Sequence, residues 1–308
     1  MDAALEPDDL ADYKVTSEVH VFSDNEPLDE SATEKIVISM FQFTLPDGLQ
    51  VREVGHLDQE LLSADSDGDL VVRRKNHIQD HRLCIKHHVN TSLNLVGLQV
   101  WRGALLLADY LLHTAANLKN GPNSPCYESV IELGAGTGLT SIVAAMVSSK
   151  VTSTDINLGN ILSLIKENSD SNSAMARNRI SVMELDFYKE DYPPELLTTI
   201  ENTDLIIAAD VVYHDELTDA FLRTLCKLMS IGREKTALIA LEKRYVFTLA
   251  ELDSVAPCFD YFSENLHSVM SRYQIKQLDT DQIPQYFCYE KVKELVLFQI
   301  SQNCYVKV

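Results

Sequence analysis

The sequence predicts an α/β fold, a doubly wound and mostly parallel sheet of seven strands, and three observations carry that expectation. From about residue 82, β-prone and helical stretches alternate, the rhythm of neighbouring strands linked by helices that cover both faces of a sheet. A glycine-rich turn at Gly134, Gly136 and Gly138 follows the first of these strands, at the edge where open α/β sheets take their ligands. Towards the end, two strand-like runs are joined by a long connection, which suits an antiparallel pair at one edge.

In chain order, residues 1–12 and 56–69 are polar and acidic, with too little apolar surface to offset ordering entropy, and are expected to be flexible. Between them, 15–22 and 35–45 are β-prone, so an acidic, partly strand-forming extension is expected over 1–80 and the main domain over 81–308. A β-prone run at 83–89 leads into a helical stretch at 101–118, where Ala104, Leu105, Leu107, Ala108, Leu111 and Leu112 recur at helical spacing. Strands are expected at 129–133, 150–155, 180–185, 204–210 and 236–242, with helices after the first, second, fourth and fifth. The closing pair is expected at 273–278 and 294–300.

A chain of 308 residues, 45% hydrophobic, can bury one large core with a small appendage. It has no uninterrupted apolar run of about 20 residues, and its acidic start is unlike a signal peptide. These features lead to the expectation of an unexported protein, as does the scatter of six cysteines without a C-x-x-C pair. The net charge is −20, and residues 1–80, with 19 acids and 6 bases, hold −13 of it. Such a field repels nucleic-acid phosphates, so a basic protein is the easier partner. No metal is expected: His77, His81, Cys84, His87 and His88 match no common ligand spacing, and Asp65, Asp67 and Asp69 lack the glutamate that closes a calcium loop.

The residues that point to chemistry lie at strand ends. Gly134, Gly136 and Gly138 are spaced G-x-G-x-G, where the nicotinamide-dinucleotide turn is G-x-G-x-x-G, which favours a nucleoside with an amino-acid tail over a pyrophosphate. Asp155 closes the next strand, where a carboxylate can accept both hydroxyls of a ribose. Asp186 and Phe187 follow the third strand and suit the amine and the face of adenine. After the fourth, Ala209 would leave room for the ligand, and Asp210 and Tyr213 would face the reacting group.

With V-W-x-G-A at Val100 to Ala104, E-L-G-A-G-T-G-L at Glu132 to Leu139, T-D at Thr154 and Asp155, and D-x-x-Y at Asp210 to Tyr213, residues 82–308 resemble the seven-strand protein lysine methyltransferases. That resemblance implies a Rossmann-like class I methyltransferase fold and S-adenosyl-L-methionine as cofactor. By it, Trp101, Glu132, Gly134, Ala135, Gly136, Asp155, Phe187 and Ala209 would bind the cofactor, while Asp210 and Tyr213 would be catalytic. It further implies a non-histone acceptor, a basic nuclear nucleic-acid-binding protein, with chaperones as candidate partners and the nucleus or cytoplasm as location. One departure is Phe187, where relatives carry tryptophan. Three other readings compete: a silent nucleoside-binding adaptor, a nucleic-acid methyltransferase, disfavoured by charge and by the absence of prolines after Asp210, and a nicotinamide oxidoreductase, disfavoured by the glycine spacing.

Overall fold

The computed structural model describes residues 14–17, 19, 35–49, 81–117, 125–176, 178–248 and 253–302. A seven-stranded sheet organises them. Five strands run parallel: β5 (Tyr127–Leu133), β6 (Ser148–Asp155), β7 (Ser181–Glu184), β8 (Leu205–Ala209) and β9 (Thr236–Glu242). Strand β13 (Leu295–Gln302) is inserted antiparallel between β9 and β12 (Tyr273–Leu278), giving the order β12-β13-β9-β8-β5-β6-β7. The strand order reverses beside β5, so the ends of β5, β6 and β8 leave a crevice between them.

Alternation along each central strand explains why both faces are covered. In β8, Leu205 and Ile207 enter the core on one face while Ile206 and Ala208 enter the core on the other. The first face is packed by α1 (Arg102–Asn117) and α2 (Leu139–Val147). On the second lie α4 (Pro194–Glu201), α5 (Asp215–Ser230) and α6 (Pro257–Val269). Helix α3 (Ile161–Ser171) follows β6. Among the expected elements, α4 is an addition: Pro193 and Pro194 look like loop formers, yet proline suits a first helical turn, and Leu196 and Ile200 are buried one turn apart. The stretch Leu93–Asn117 is long and apolar enough to cross a bilayer by length and composition, but it is mostly buried in this core.

The boundary expected at residue 80 does not coincide with a break in packing. Strand β2 (Ile36–Phe43) pairs antiparallel with β3 (His81–His88), and its inward residues Phe41 and Phe43 are buried in the same core as α1 and α2. Phe43 stacks on Phe287 at 4.7 Å, and backbone bonds run from Thr44 N–H to Tyr286 and from Cys288 N–H to Gln42. Asp109 on α1 fixes the far side of this contact, accepting the amides of Tyr286 and Phe287 and the hydroxyl of Tyr289. The acidic segments 1–12 and 56–69, His77 and the calcium-like residues lie outside the described residues.

Phe41 and Ile38 therefore make a paired test of whether β2 belongs to the domain. Phe41→Ala removes a ring with no exposed surface and should cost about 3–5 kcal/mol in denaturant unfolding. Ile38→Ala, at a side chain that is 70% exposed, should stay within about 0.5 kcal/mol.

Candidate functional site

The cofactor-binding and catalytic residues that the resemblance implies all line one cavity at the carboxyl ends of β5, β6 and β8: Trp101, Glu132, Gly134, Ala135, Gly136, Asp155, Phe187, Ala209, Asp210 and Tyr213. Backbone conformation explains the glycines. Gly134 and Gly136 have φ of 64° and 58°, and a Cβ would stand 2.7 Å from a methyl of Val211 and from the carbonyl oxygen of Gly97, respectively. Gly138 does not reach the cavity; at φ 79° it starts α2 and packs on Ile165.

Two carboxylates form the floor. Asp155 accepts the amide of Gly136 at 2.8 Å and that of Ile156 at 2.7 Å, so it braces the turn while keeping one lone pair on each oxygen. Burial lifts its carboxyl to about 6, against those two bonds. Glu132 is 2% exposed and accepts the Ser141 hydroxyl; burial lifts it to about 8. Among the described residues, neither carboxylate has an ion pair with a lysine or arginine.

The opposite end is built differently. Asp210 has a φ of 51°, rare for a residue with a side chain. Its Oδ2 accepts the Gly103 amide at 2.7 Å, and its Oδ1 accepts that of Glu242 at 3.0 Å. A Cβ on residue 103 would fall 2.5 Å from the carboxylate, so the glycine of V-W-x-G-A exists to let Asp210 approach. Burial raises the Asp210 carboxyl, opposed chiefly by Arg244. Arg244 lies 4.5 Å over the ring of Trp101 and 3.5 Å from Glu242, whose other oxygen meets Arg102 at 3.0 Å. The sequence expectation for Asp210 thus needs a structural addition: the residue lines the cavity, and its carboxylate joins α1, β8 and β9.

The remaining walls set expected residues, Asp186, Phe187 and Tyr213, beside others that the sequence reading passed over. Phe187 packs against Phe221 at 5.5 Å, with Asp186 and the half-exposed Tyr188 beside it. Tyr213 is held near its own helix start, its hydroxyl pushed up by burial and then by the Asp155 charge. His214 caps α5 by accepting the Leu217 amide. A 3-10 segment, Leu93–Leu98, forms a whole wall, and the Trp101 indole donates to its Val96 carbonyl at 2.9 Å. Its sequence, LNLVGL, is apolar without helical or strand period, so only its adjacency to the V-W motif could have drawn notice.

Residues 77–255 match a family described as lysine methyltransferase. The chain is 36% identical over 237 residues to the methyltransferase-like protein 22 of Homo sapiens, covering 70% of this chain and 56% of that protein. To the mouse protein of the same name it is 34% identical, covering 77% and 64%. Against a protein N-lysine methyltransferase of Xenopus tropicalis the identity is 30%, over 58% of this chain and 77% of that one. The chain thus spans less than two thirds of the length of the first two relatives.

The raised carboxyls set a direction for stability. Between about 4.5 and about 8, folded Glu132 holds a proton that the unfolded chain has released, so the ligand-free fold loses stability as pH rises through that window. Asp155 adds to the loss up to about 6, and Asp109, lifted to about 7 by burial, adds its own part. Glu132→Gln should flatten the profile and melt about 5 °C above the wild type at pH 8.5, by calorimetry across pH. A parallel pair of profiles would place the Glu132 carboxyl in an ordinary solvated state.

Proposed function

Because this chain belongs to the lysine methyltransferase family, we propose that it transfers a methyl group from S-adenosylmethionine to the side-chain amine of a lysine on another protein. The uneven charge of the cavity carries this reading. Glu132 and Asp155 are buried without a basic partner among the described residues, while Asp210, elsewhere on the wall, is countered by the charges of Arg244 and Arg102, which do not line the cavity. A buried carboxylate without a counter-charge is costly, and this cofactor brings an ammonium, a sulfonium and a ribose diol.

The donor set fits that group. Asp155 would take the diol on its free lone pairs, and the turn from Gly134 to Gly136 would let the ligand approach the backbone. Glu132 lies where a cationic tail would favour its ionised form. Asp186 and Phe187 would hold adenine, while Ala209 leaves space beside it and Trp101 closes the wall. When bound, the cofactor supplies an electrophilic methyl carbon.

The chain must supply a neutral amine aligned with that carbon. A free lysine titrates at about 10.4, so its neutral form costs roughly 4–5 kcal/mol near pH 7. Burial and the positive Arg244 both disfavour the ammonium. Asp210, fixed by two backbone amides, and Tyr213 orient the amine, and the proton leaves to water. For the acceptor we favour a basic, non-histone protein of the nuclear nucleic-acid-binding class, met in the nucleus or cytoplasm. Supporting this are the net charge of −20 and Asp215 and Glu216 at the exposed start of α5, next to His214 of the cavity.

Incubating the protein with labelled S-adenosylmethionine and nuclear or cytoplasmic extract should label a basic protein on lysine, read by mass spectrometry. Tyr213→Phe should lower that turnover about tenfold and leave S-adenosylhomocysteine affinity unchanged in calorimetry. Label found only on nucleic acid would replace the substrate class, and cofactor binding without any transfer would make the chain a silent adaptor.

A further inference from the structure

The wall Leu93–Leu98 is pressed tightly on the cofactor side. Gly97 presents its carbonyl oxygen to Gly136, where even a methyl group would stand 2.7 Å away, and Leu95 meets Gly159 at the approach to α3 in the same way. A shift of this segment would therefore change the shape of the cavity at the glycine turn. What holds it from behind is the strand Lys14–Thr16 with Ser17, none of which lines the cavity.

Strand β1 (Lys14–Thr16) pairs antiparallel with β4 (Asn90–Ser92), which leads directly into the wall. At the wall's other end stands Gln99, 2% exposed, with its amide fully engaged. Its Oε1 accepts the Ser17 amide at 2.6 Å, while its Nε2 donates to the Val15 carbonyl at 2.9 Å and to the Thr91 hydroxyl at 2.7 Å. The Ser17 hydroxyl donates to the carbonyl of Val100, the next residue, and accepts the amide of Val19. One strand thus ties the entry and the exit of the wall together, and Gln99 bonds to that strand and to β4 while lining the cavity.

We propose that Gln99 is a positioning residue, which locks strand β1 behind the wall Leu93–Leu98 and so makes the N-terminal strand a determinant of affinity for the nucleoside cofactor. The proposal rests on the reading of the cavity as the S-adenosylmethionine site. Gln99→Leu keeps the bulk and removes all three hydrogen bonds; Ser17→Ala removes only the second tie. Because both variants loosen one linkage, their effects are coupled.

S-adenosylhomocysteine affinity is measured by calorimetry well below the melting temperature, on full-length wild type, both single variants and the double variant. Gln99→Leu should weaken binding about tenfold and Ser17→Ala about threefold, with the double variant close to Gln99→Leu alone. Emission of Trp101, the only tryptophan, should shift in Gln99→Leu, since its indole is anchored on the Val96 carbonyl of the same wall. Unchanged affinity in Ser17→Ala and in folded Gln99→Leu, even with lowered melting temperature, overturns the proposal by making the linkage purely structural. Multiplying losses in the double variant overturn it as well. If wild-type protein fails to bind S-adenosylhomocysteine, the reading of the cavity falls and this proposal with it, a result separable from wild-type binding with unaltered variants.

Discussion

Where the carboxylate of Asp210 receives the amides of Gly103 and Glu242, three distant parts of the chain are fixed to one another. The first turn of α1, the end of β8 and the end of β9 meet at one side chain. Charged acceptors make stronger hydrogen bonds than neutral ones, and here two are made in a poorly solvated place. The strained backbone at residue 210 is compensated by this pair of bonds, and it aims the carboxylate between the helix and the sheet. Arg102 and Arg244 close around the same point through Glu242. Substitution of Asp210 therefore acts on architecture as well as on any bound amine, and loss of activity alone would not separate the two.

This junction also explains why two short motifs occur together. V-W-x-G-A and D-x-x-Y are more than a hundred residues apart, and Gly103 is small because Asp210 is its neighbour in space. Trp101, two residues earlier, stacks under Arg244, two residues beyond Glu242. The acidic floor of the cavity depends on the same frame, since β5 and β8 are paired from Val130 with Leu205 to Leu133 with Ala208, which sets Glu132 on one strand and Asp210 just past the end of the other.

Much of this was legible in the residues. The central strands have apolar positions on both faces, which marks a covered parallel sheet, and β9 and β12 fall on the predicted bounds. The glycine turn and Asp155 were legible because their chemistry requires those residue types at strand ends. Other features were hidden for identifiable reasons. Helix α4 is short and begins at a proline pair that also fits a loop. Strand β2 is apolar on both faces, with Ile36, Ile38 and Met40 exposed, and its partner β3 follows only after a long acidic stretch, so pairing across such a gap leaves no local signal. The wall Leu93–Leu98 has no period to detect, and its importance lies wholly in what it touches.

Asp109 has a consequence for how the chain is made. It joins α1 to the backbone of Phe287, 178 positions further on, and Phe287 in turn stacks on Phe43 from the other end of the described fold. Strand β13 sits between β9 and β12 inside the sheet, so the core has a gap until that late strand is available. Contacts of such long range are slow to form. On the ribosome, Phe43 emerges long before its stacking partner Phe287, and α1 lacks its contact with β13 until that strand has been synthesised. This order of emergence leaves part of the apolar core of the nascent chain open until its late segments arrive, the interval in which incompletely folded chains aggregate or are captured by folding helpers.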